Sequence, residues 1–130
     1  MKKVFLLLFM SILAAGCAKS TPAITDNGLP GQIKVVVFHD ANGNDVQDAG
    51  EPGLQDKVLL SQDVSCPPTD KSKMQFADTD SNGEALFKDL KPGKYCVAYF
   101  GERTMSTKMT LDVYLSSEQD ALVSFGLLEK

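Results

Sequence analysis

The 130-residue chain contains no tryptophan and a single histidine, His39. One imidazole cannot supply the histidine pairs of common zinc sites, and the sequence has no HExxH, nucleophile-elbow or phosphate-binding glycine motif. The 17 acidic and 13 basic residues give a formal charge of −4, which disfavours binding to nucleic acid. We therefore expect a non-catalytic protein without a nucleic-acid partner.

Helical periodicity is also missing. Beyond the N-terminal segment, no stretch of a dozen residues keeps the 3.6-residue apolar period of a helix. Short β-branched or alternating segments separated by turn residues occur instead, at 32–39, 57–63, 73–79, 84–87, 94–100, 107–114 and 121–128. Seven short strands at this spacing predict an all-β fold, a two-sheet sandwich.

The chain has one long apolar run, at residues 4–13 after two lysines, and it is too short to span a bilayer. This pattern is typical of a secretory leader. The tetrapeptide that ends in Cys17 resembles the lipobox of bacterial lipoprotein precursors. The resemblance implies diacylation of the Cys17 thiol and cleavage after Gly16, with an ordinary secretory cut as the alternative.

Cleavage there would divide the chain into a signal peptide (1–16), a flexible polar tether from the lipidated Cys17 (17–30) and one folded domain (31–130). Cleavage of the leader also removes Lys2 and Lys3, so the formal charge of the remaining chain changes from −4 to −6. We expect a monomer attached to the membrane of a bacterial cell envelope through its N-terminal lipid. Because Ala18 rather than Asp follows the cysteine, this would be the outer membrane in a bacterium with two membranes.

Only three cysteines are present, and Cys17 is assigned to the lipid. Cys66 and Cys96 then remain as a pair in an oxidising compartment, which favours a disulfide; two separate buried thiols are the alternative. Cys96 alternates with Tyr95 and Val97, so its side chain is expected on the sheet face opposite the core. The loop around Cys66 would then cover the outside of that sheet.

A twelve-residue segment at 40–51 carries oxygen-bearing side chains at the spacing of a calcium-binding loop. Calcium takes six to eight oxygen ligands, and a loop that offers them from alternate residues can curl around the ion. Position 6 is Asp45, where such loops usually have glycine. The alternative is a solvated turn. The predicted ligands are Asp40, Asn42, Asn44, Asp48 and Glu51, with the backbone carbonyl of Val46.

Two segments carry a family resemblance, FHDANGNDVQDAGEPGL at 38–54 and TDSNGEALFKDLKPGKY at 79–95. The first resembles the opening of the B-type domain of serine-aspartate repeat surface proteins (SdrD B-like). The second is similar to a hairpin shared with collagen-adhesin B-type and carboxypeptidase-regulatory, transthyretin-like domains. The resemblance implies a seven-stranded immunoglobulin-like sandwich, calcium in the loop after the first strand, and a structural or adhesive role at the cell surface. Asp78 and Asp80 are candidates for a second calcium site.

The collagen-adhesin relatives often carry a Lys–Asn isopeptide crosslink, but the last predicted strand offers no Asn or Asp at its central positions, and Lys34 in the first strand is expected to face solvent. A second function remains open, namely a small carbohydrate- or ligand-binding lipoprotein. Its binding platform would use exposed aromatics such as Tyr99, Phe100 and Tyr114. The surface partner, protein or glycan, is not identified by the sequence.

Overall fold

The computed structural model describes residues 27–62 and 65–128. The predicted signal peptide, Cys17 and most of the tether lie outside these residues. Within them the chain forms seven strands and one short 3-10 turn. They are β1 (Gly31–His39), β2 (Lys57–Ser61), the 3-10 turn (Lys71–Lys73), β3 (Met74–Asp78), β4 (Glu84–Leu90), β5 (Gly93–Tyr99), β6 (Thr110–Leu115) and β7 (Asp120–Leu127).

The strands form two sheets, as the spacing predicts. One has the order β4-β1-β7 and the other the order β3-β2-β5-β6. Strand β1 is antiparallel to β4 and parallel to β7, while the neighbours in the second sheet are antiparallel throughout. The predicted seven-stranded, immunoglobulin-like sandwich is confirmed.

Strand β1 is buried on both sides, which explains its continuous apolar sequence. Ile33, Val35 and Val37 belong to the core between the sheets and are fully buried. Val36 and Phe38 project from the other side of the strand and are 8% and 0% exposed. The prediction of a strand covered on both faces is therefore confirmed.

The core between the sheets is filled by alternating residues from every strand except β3, which contributes only the partly buried Ala77. The largest fully buried side chains in it are those of Tyr95, Phe125, Ile33, Leu60 and Leu127. Apolar side chains therefore occupy the inner faces of β1 and β7. Lys34 lies on the outer face and forms a 2.6 Å ion pair with Glu84, in agreement with its expected exposure.

Two predicted strand limits are wrong by three residues, and the others agree within two. β6 begins at Thr110 rather than at 107, because the segment before it leaves the second sheet: Met105 forms a bridge with Leu127 beside β7. β4 continues to Leu90 rather than ending at Phe87, through a register shift against β1 at which Asp89 has a positive φ of 56°. Both departures depend on contacts between segments far apart in the sequence.

A disulfide joins Cys66 and Cys96, whose Cα atoms are 5.4 Å apart. Cys96 is fully buried although it lies outside the core between the sheets. The loop that carries Cys66 therefore covers the outer face of the second sheet, as the alternation in β5 predicts.

The chain entry and the 40–51 loop lie at opposite ends of the sandwich. Residues 27–32 enter beside the β6–β7 turn, where Gly28 N donates to Ser117 Oγ at 3.0 Å and Gln32 N donates to Gln119 O at 3.0 Å. The 40–51 loop leaves β1 at the other end. The nine residues of β1 span eight intervals of about 3.3 Å, so the two ends are roughly 26 Å apart.

Candidate metal centre

The predicted calcium loop follows β1 directly and is anchored by its first residue. Asp40 is fully buried, and its backbone N–H donates to Leu127 O in β7 at 2.9 Å. The residues from Ala41 to Gly50 are exposed. The loop thus combines one carboxylate fixed by the sandwich with an exposed arc of side chains.

The carboxylate of Asp40 accepts three backbone hydrogen bonds from the loop. Oδ1 accepts from Gly43 N at 2.8 Å and from Asn44 N at 3.1 Å, while Oδ2 accepts from Asp45 N at 2.9 Å. The pKa of Asp40 is lowered, chiefly by the neighbouring Ser106 hydroxyl and then by these N–H groups, against the opposing effect of burial. Asp40 is therefore an ionised carboxylate at neutral pH.

The two asparagines form successive turns of the arc. Asn42 Oδ1 accepts from Asn44 N at 3.0 Å, and Asn44 Oδ1 accepts from Val46 N at 2.9 Å. Both side-chain amides donate to Asp48 Oδ2, each at 2.8 Å. The structure therefore brings these side chains together around one carboxylate.

Glu51 closes the loop. Its Oε1 accepts from Ala41 N at 2.8 Å and its Oε2 accepts from Asp48 N at 2.9 Å, so one side chain bridges the beginning and the end of the segment. This is the position at which a calcium loop has its closing carboxylate. All five predicted side-chain ligands belong to one hydrogen-bonded ring.

Asp45 has a φ of 65°, so position 6 adopts the left-handed conformation that calcium loops need there. Aspartate takes up this conformation more readily than most residues other than glycine. The replacement of the usual glycine therefore does not prevent the bend.

The donor set fits a hard cation. Asp40, Asp48 and Glu51 supply carboxylates, while amide and backbone carbonyl oxygens complete the set. Calcium binds such all-oxygen sets, whereas zinc sites in proteins rely mainly on Cys and His ligands. Among the described residues no group of three or more His, Cys, Asp or Glu side chains is placed to hold a metal, so the three carboxylates of the loop do not converge on one point in this conformation. Binding would require both asparagines to exchange their hydrogen bonds to Asp48 for oxygen contacts with the ion.

The end of the loop packs against the β3–β4 turn with no room for side chains. A Cβ at Gly53 would overlap the carbonyl of Asn82, and a Cβ at Gly83, whose φ is 78°, would overlap Val37 O. Val37 O accepts from Leu54 N at 2.9 Å, and Val37 N donates to Gly83 O at 2.8 Å. The two segments that carry the family resemblance are therefore in direct backbone contact.

The second calcium site remains a prediction. Asp80 Oδ1 accepts from Asn82 N at 2.8 Å and Glu84 N at 2.9 Å, and so stabilises the turn. Asp78 lies 3.8 Å from the Lys57 ammonium in a cross-strand ion pair. Both carboxylates have these structural roles in the present conformation.

The predicted aromatic platform is partly wrong. Tyr99 is only 2% exposed, because alternation in β5 turns it into the core with Tyr95 and Val97; its hydroxyl donates to Asp56 Oδ2 at 2.9 Å. Phe100 is 58% and Tyr114 73% exposed. Sequence reasoning missed Phe76, 51% exposed, whose ring centroid is 5.0 Å from that of Phe100.

Sequence reasoning also missed Ser106. This residue lies in the connection between β5 and β6, more than sixty positions from Asp40, and no local signal in the sequence links the two. Its hydroxyl is buried beside the Asp40 carboxylate, but it completes no hydrogen bond among the residues that the structure describes.

Residues 31–124 match the model of the SdrD B-like domain family. The chain belongs to this family. Colossin-C from Dictyostelium discoideum is 32% identical over 108 residues, which cover 78% of this chain and 10% of that protein. This SdrD B-like chain thus spans about a tenth of the length of that relative.

Two solved structures share the fold. The streptococcal ancillary pilin has a TM-score of 0.57 at 15% identity, over 78% of this chain and 33% of the pilin chain. The minor pilin GBS52 of Streptococcus agalactiae has a TM-score of 0.55 at 14% identity, over 79% of this chain and 46% of the pilin chain. Across the part of the chain that the structure covers, no helix has the length and apolar character needed to cross a bilayer.

Proposed function

We propose that this SdrD B-like protein is a non-catalytic structural or adhesion module of a bacterial cell envelope. It is stiffened by one calcium ion in the 40–51 loop and attached to the membrane through a lipid on Cys17. The observation that carries the proposal is the ring of five oxygen-bearing side chains closed by Glu51 and anchored by the buried Asp40. A solvated turn needs no such closure.

The stiffening role is supported by what the loop joins. Its first residue is bonded to β7, and Gly53, two residues after its end, packs on the β3–β4 turn. An ion in the loop would therefore restrain the connection between β1 and β2 at the place where several segments meet. If only the folded state binds the ion, calcium would stabilise the domain by about 2.7 kcal/mol when its free concentration is a hundred times the dissociation constant.

The positions of the two ends support the anchoring. The chain enters the sandwich beside the β6–β7 turn, whereas the loop lies at the other end of β1. A lipid on Cys17 would attach the chain to the membrane at the first end, and the calcium loop would lie at the opposite end of the sandwich. The loop end would then be available to protein or glycan partners on the outside.

Calcium titration tests the proposal. We expect the full-length chain, purified in detergent, to release or absorb heat on calcium addition and to melt at a higher temperature with calcium than with chelator. Asp48→Asn and Glu51→Gln should abolish both effects, because each removes an exposed or partly exposed ligand charge without disturbing the core. Asp112→Asn, on the outer face of β6, is the control. The absence of heat at millimolar calcium, with an unchanged melting temperature, would refute the calcium role.

Lipidation needs a separate test. In a bacterial host supplied with labelled fatty acid, the wild-type chain should incorporate label and sediment with membranes, and Cys17→Ser should do neither. Cys66→Ser is the matched control, since it changes another cysteine and should keep the label. A wild-type chain that stays unlabelled would refute lipidation and leave ordinary secretory cleavage as the remaining interpretation.

A glycan- or ligand-binding role is the second candidate. An open cleft of about 560 Å³ is lined by Gln55, Asp56, Lys57 and residues 100–103. The exposed ring of Phe100 is part of this lining and lies 5.0 Å from that of Phe76. An aromatic ring beside hydrogen-bonding side chains suits a sugar. Glycan-array binding that is lost in Phe100→Ala but kept in Tyr114→Ala would favour this role, whereas an array without signal would remove it.

A further inference from the structure

The hydroxyl of Ser106 is a buried polar group with no completed hydrogen bond among the described residues. Such a group destabilises the folded state, because it loses water without gaining a partner. Alanine would fill the same position without this cost. The presence of a serine at position 106 therefore needs an explanation other than stability.

The backbone around Ser106 is held firmly. Ser106 N donates to Gly126 O at 3.0 Å, and Leu128 N donates to Thr104 O at 2.8 Å. The next residue, Thr107, accepts from Gly126 N through its Oγ1 at 3.2 Å. Because hydrogen bonds on both sides fix this segment along β7, the position of the Ser106 side chain is set by the fold.

That position is beside the Asp40 carboxylate. A Cβ built at Gly126 would overlap Ser106 Oγ and would lie 3.1 Å from Asp40 Oδ2. The two oxygens therefore face the same small space above a glycine. Among the residues that the structure describes, Asp40 Oδ2 accepts one backbone hydrogen bond, from Asp45 N, whereas Oδ1 accepts two, so Oδ2 has capacity for a further donor.

We propose that Ser106 is a positioning residue of the calcium site. As placed, the hydroxyl completes no hydrogen bond within the described part of the chain, but after a small reorientation it would donate to Asp40 Oδ2 and so restrain the buried carboxylate of the loop, with or without calcium. This inference rests on the proposed calcium function. It adds to the site a residue from the β5–β6 connection, so that calcium affinity depends on a segment outside the loop. Residues that orient metal ligands in this way typically change affinity by about 10- to 100-fold when replaced.

Ser106→Ala, Ser106→Cys and Thr107→Val in the full-length chain test the proposal. We expect Ser106→Ala to weaken calcium binding by at least tenfold in isothermal titration, while the variant still unfolds cooperatively in chelator. Ser106→Cys keeps most of the side-chain volume but donates poorly, so it should resemble the alanine variant. Thr107→Val is the matched control. It removes a hydroxyl from the same segment and should lower the melting temperature equally with and without calcium, at unchanged affinity.

A second measurement does not depend on calcium. In chelator, the amides of Gly43, Asn44 and Asp45 should exchange with deuterium faster in both Ser106 variants than in the wild type and Thr107→Val, because the carboxylate that accepts from them is less restrained. Wild-type affinity together with wild-type exchange in the Ser106 variants would overturn the positioning role. A wild-type chain that binds no calcium would instead refute the proposed function, and the exchange rates alone would then decide whether Ser106 orients Asp40.

Discussion

Removal of the disulfide between Cys66 and Cys96 is expected to lower the free energy of unfolding by about 3.6 kcal/mol. The bridge closes a loop with a sequence separation of 30 residues. In the chain-entropy model, the cost of closing a loop of that length in the unfolded chain, about 12 cal/mol/K, is what the bridge contributes. For a domain of about 100 residues this loss corresponds to a melting temperature lower by roughly 18 °C.

The assay is urea unfolding of the wild type, the reduced wild type and Cys66→Ala/Cys96→Ala. Alanine is preferable to serine because Cys96 is fully buried and a hydroxyl there would add its own cost. Agreement between the reduced protein and the double variant would assign the loss to the crosslink rather than to side-chain volume. The denaturant slope should also rise, since the unfolded chain expands further without the bridge.

A loss below about 1 kcal/mol would refute this reasoning. It would mean that non-covalent contacts already hold the Cys66 loop over the sheet, or that the unfolded chain keeps the two cysteines close together. A large loss with an unchanged slope would contradict the entropic account in another way, because it would place the effect in the packing of the folded state.

Three further outcomes follow from the packing and the charges. Gly53→Ala should destabilise the domain by about 3 kcal/mol or more, measured by urea unfolding, because its methyl group would overlap the Asn82 carbonyl; equal stability would contradict the backbone contact. Phe125→Ala, at a fully buried position, should cost about 3 to 5 kcal/mol in the same assay, and a cost under 1 kcal/mol would count against the core. Burial raises the pKa of Tyr95 and Tyr99. Stability should therefore fall as pH rises above about 10, where the unfolded chain releases tyrosine protons that the folded state retains, and urea melts between pH 8 and 11 that show no decline would refute this.

The strands and the loop could be predicted because their signals are local. Alternation in β5 predicted that Cys96 faces away from the core and that the Cys66 loop covers it, and both are confirmed. The same alternation places Tyr99 beside Val97 in the core, so its assignment to an exposed platform was avoidable. The spacing of oxygen side chains located the ring around Asp48, whose hydrogen bonds join residues only a few positions apart.

Contacts between distant segments could not be predicted in this way. The late start of β6, the close approach of Gly53 to the β3–β4 turn, and the burial of the Ser106 hydroxyl beside Asp40 each depend on how two sheets pack. A periodic pattern states which face a residue occupies but not which remote residue it meets there.

By itself, then, the sequence determined the class of fold, the cysteine pair and the candidate ligands, because strand alternation, turn chemistry and ligand spacing act over a few neighbouring residues. Only the tertiary structure decided what surrounds those ligands. Strand β7 bonds the backbone of Asp40, Gly53 packs against the β3–β4 turn just after Glu51, and the hydroxyl of Ser106 lies beside the Asp40 carboxylate. Packing brings these groups together from distant parts of the chain, and the local pattern of a short segment does not specify which remote segment it contacts.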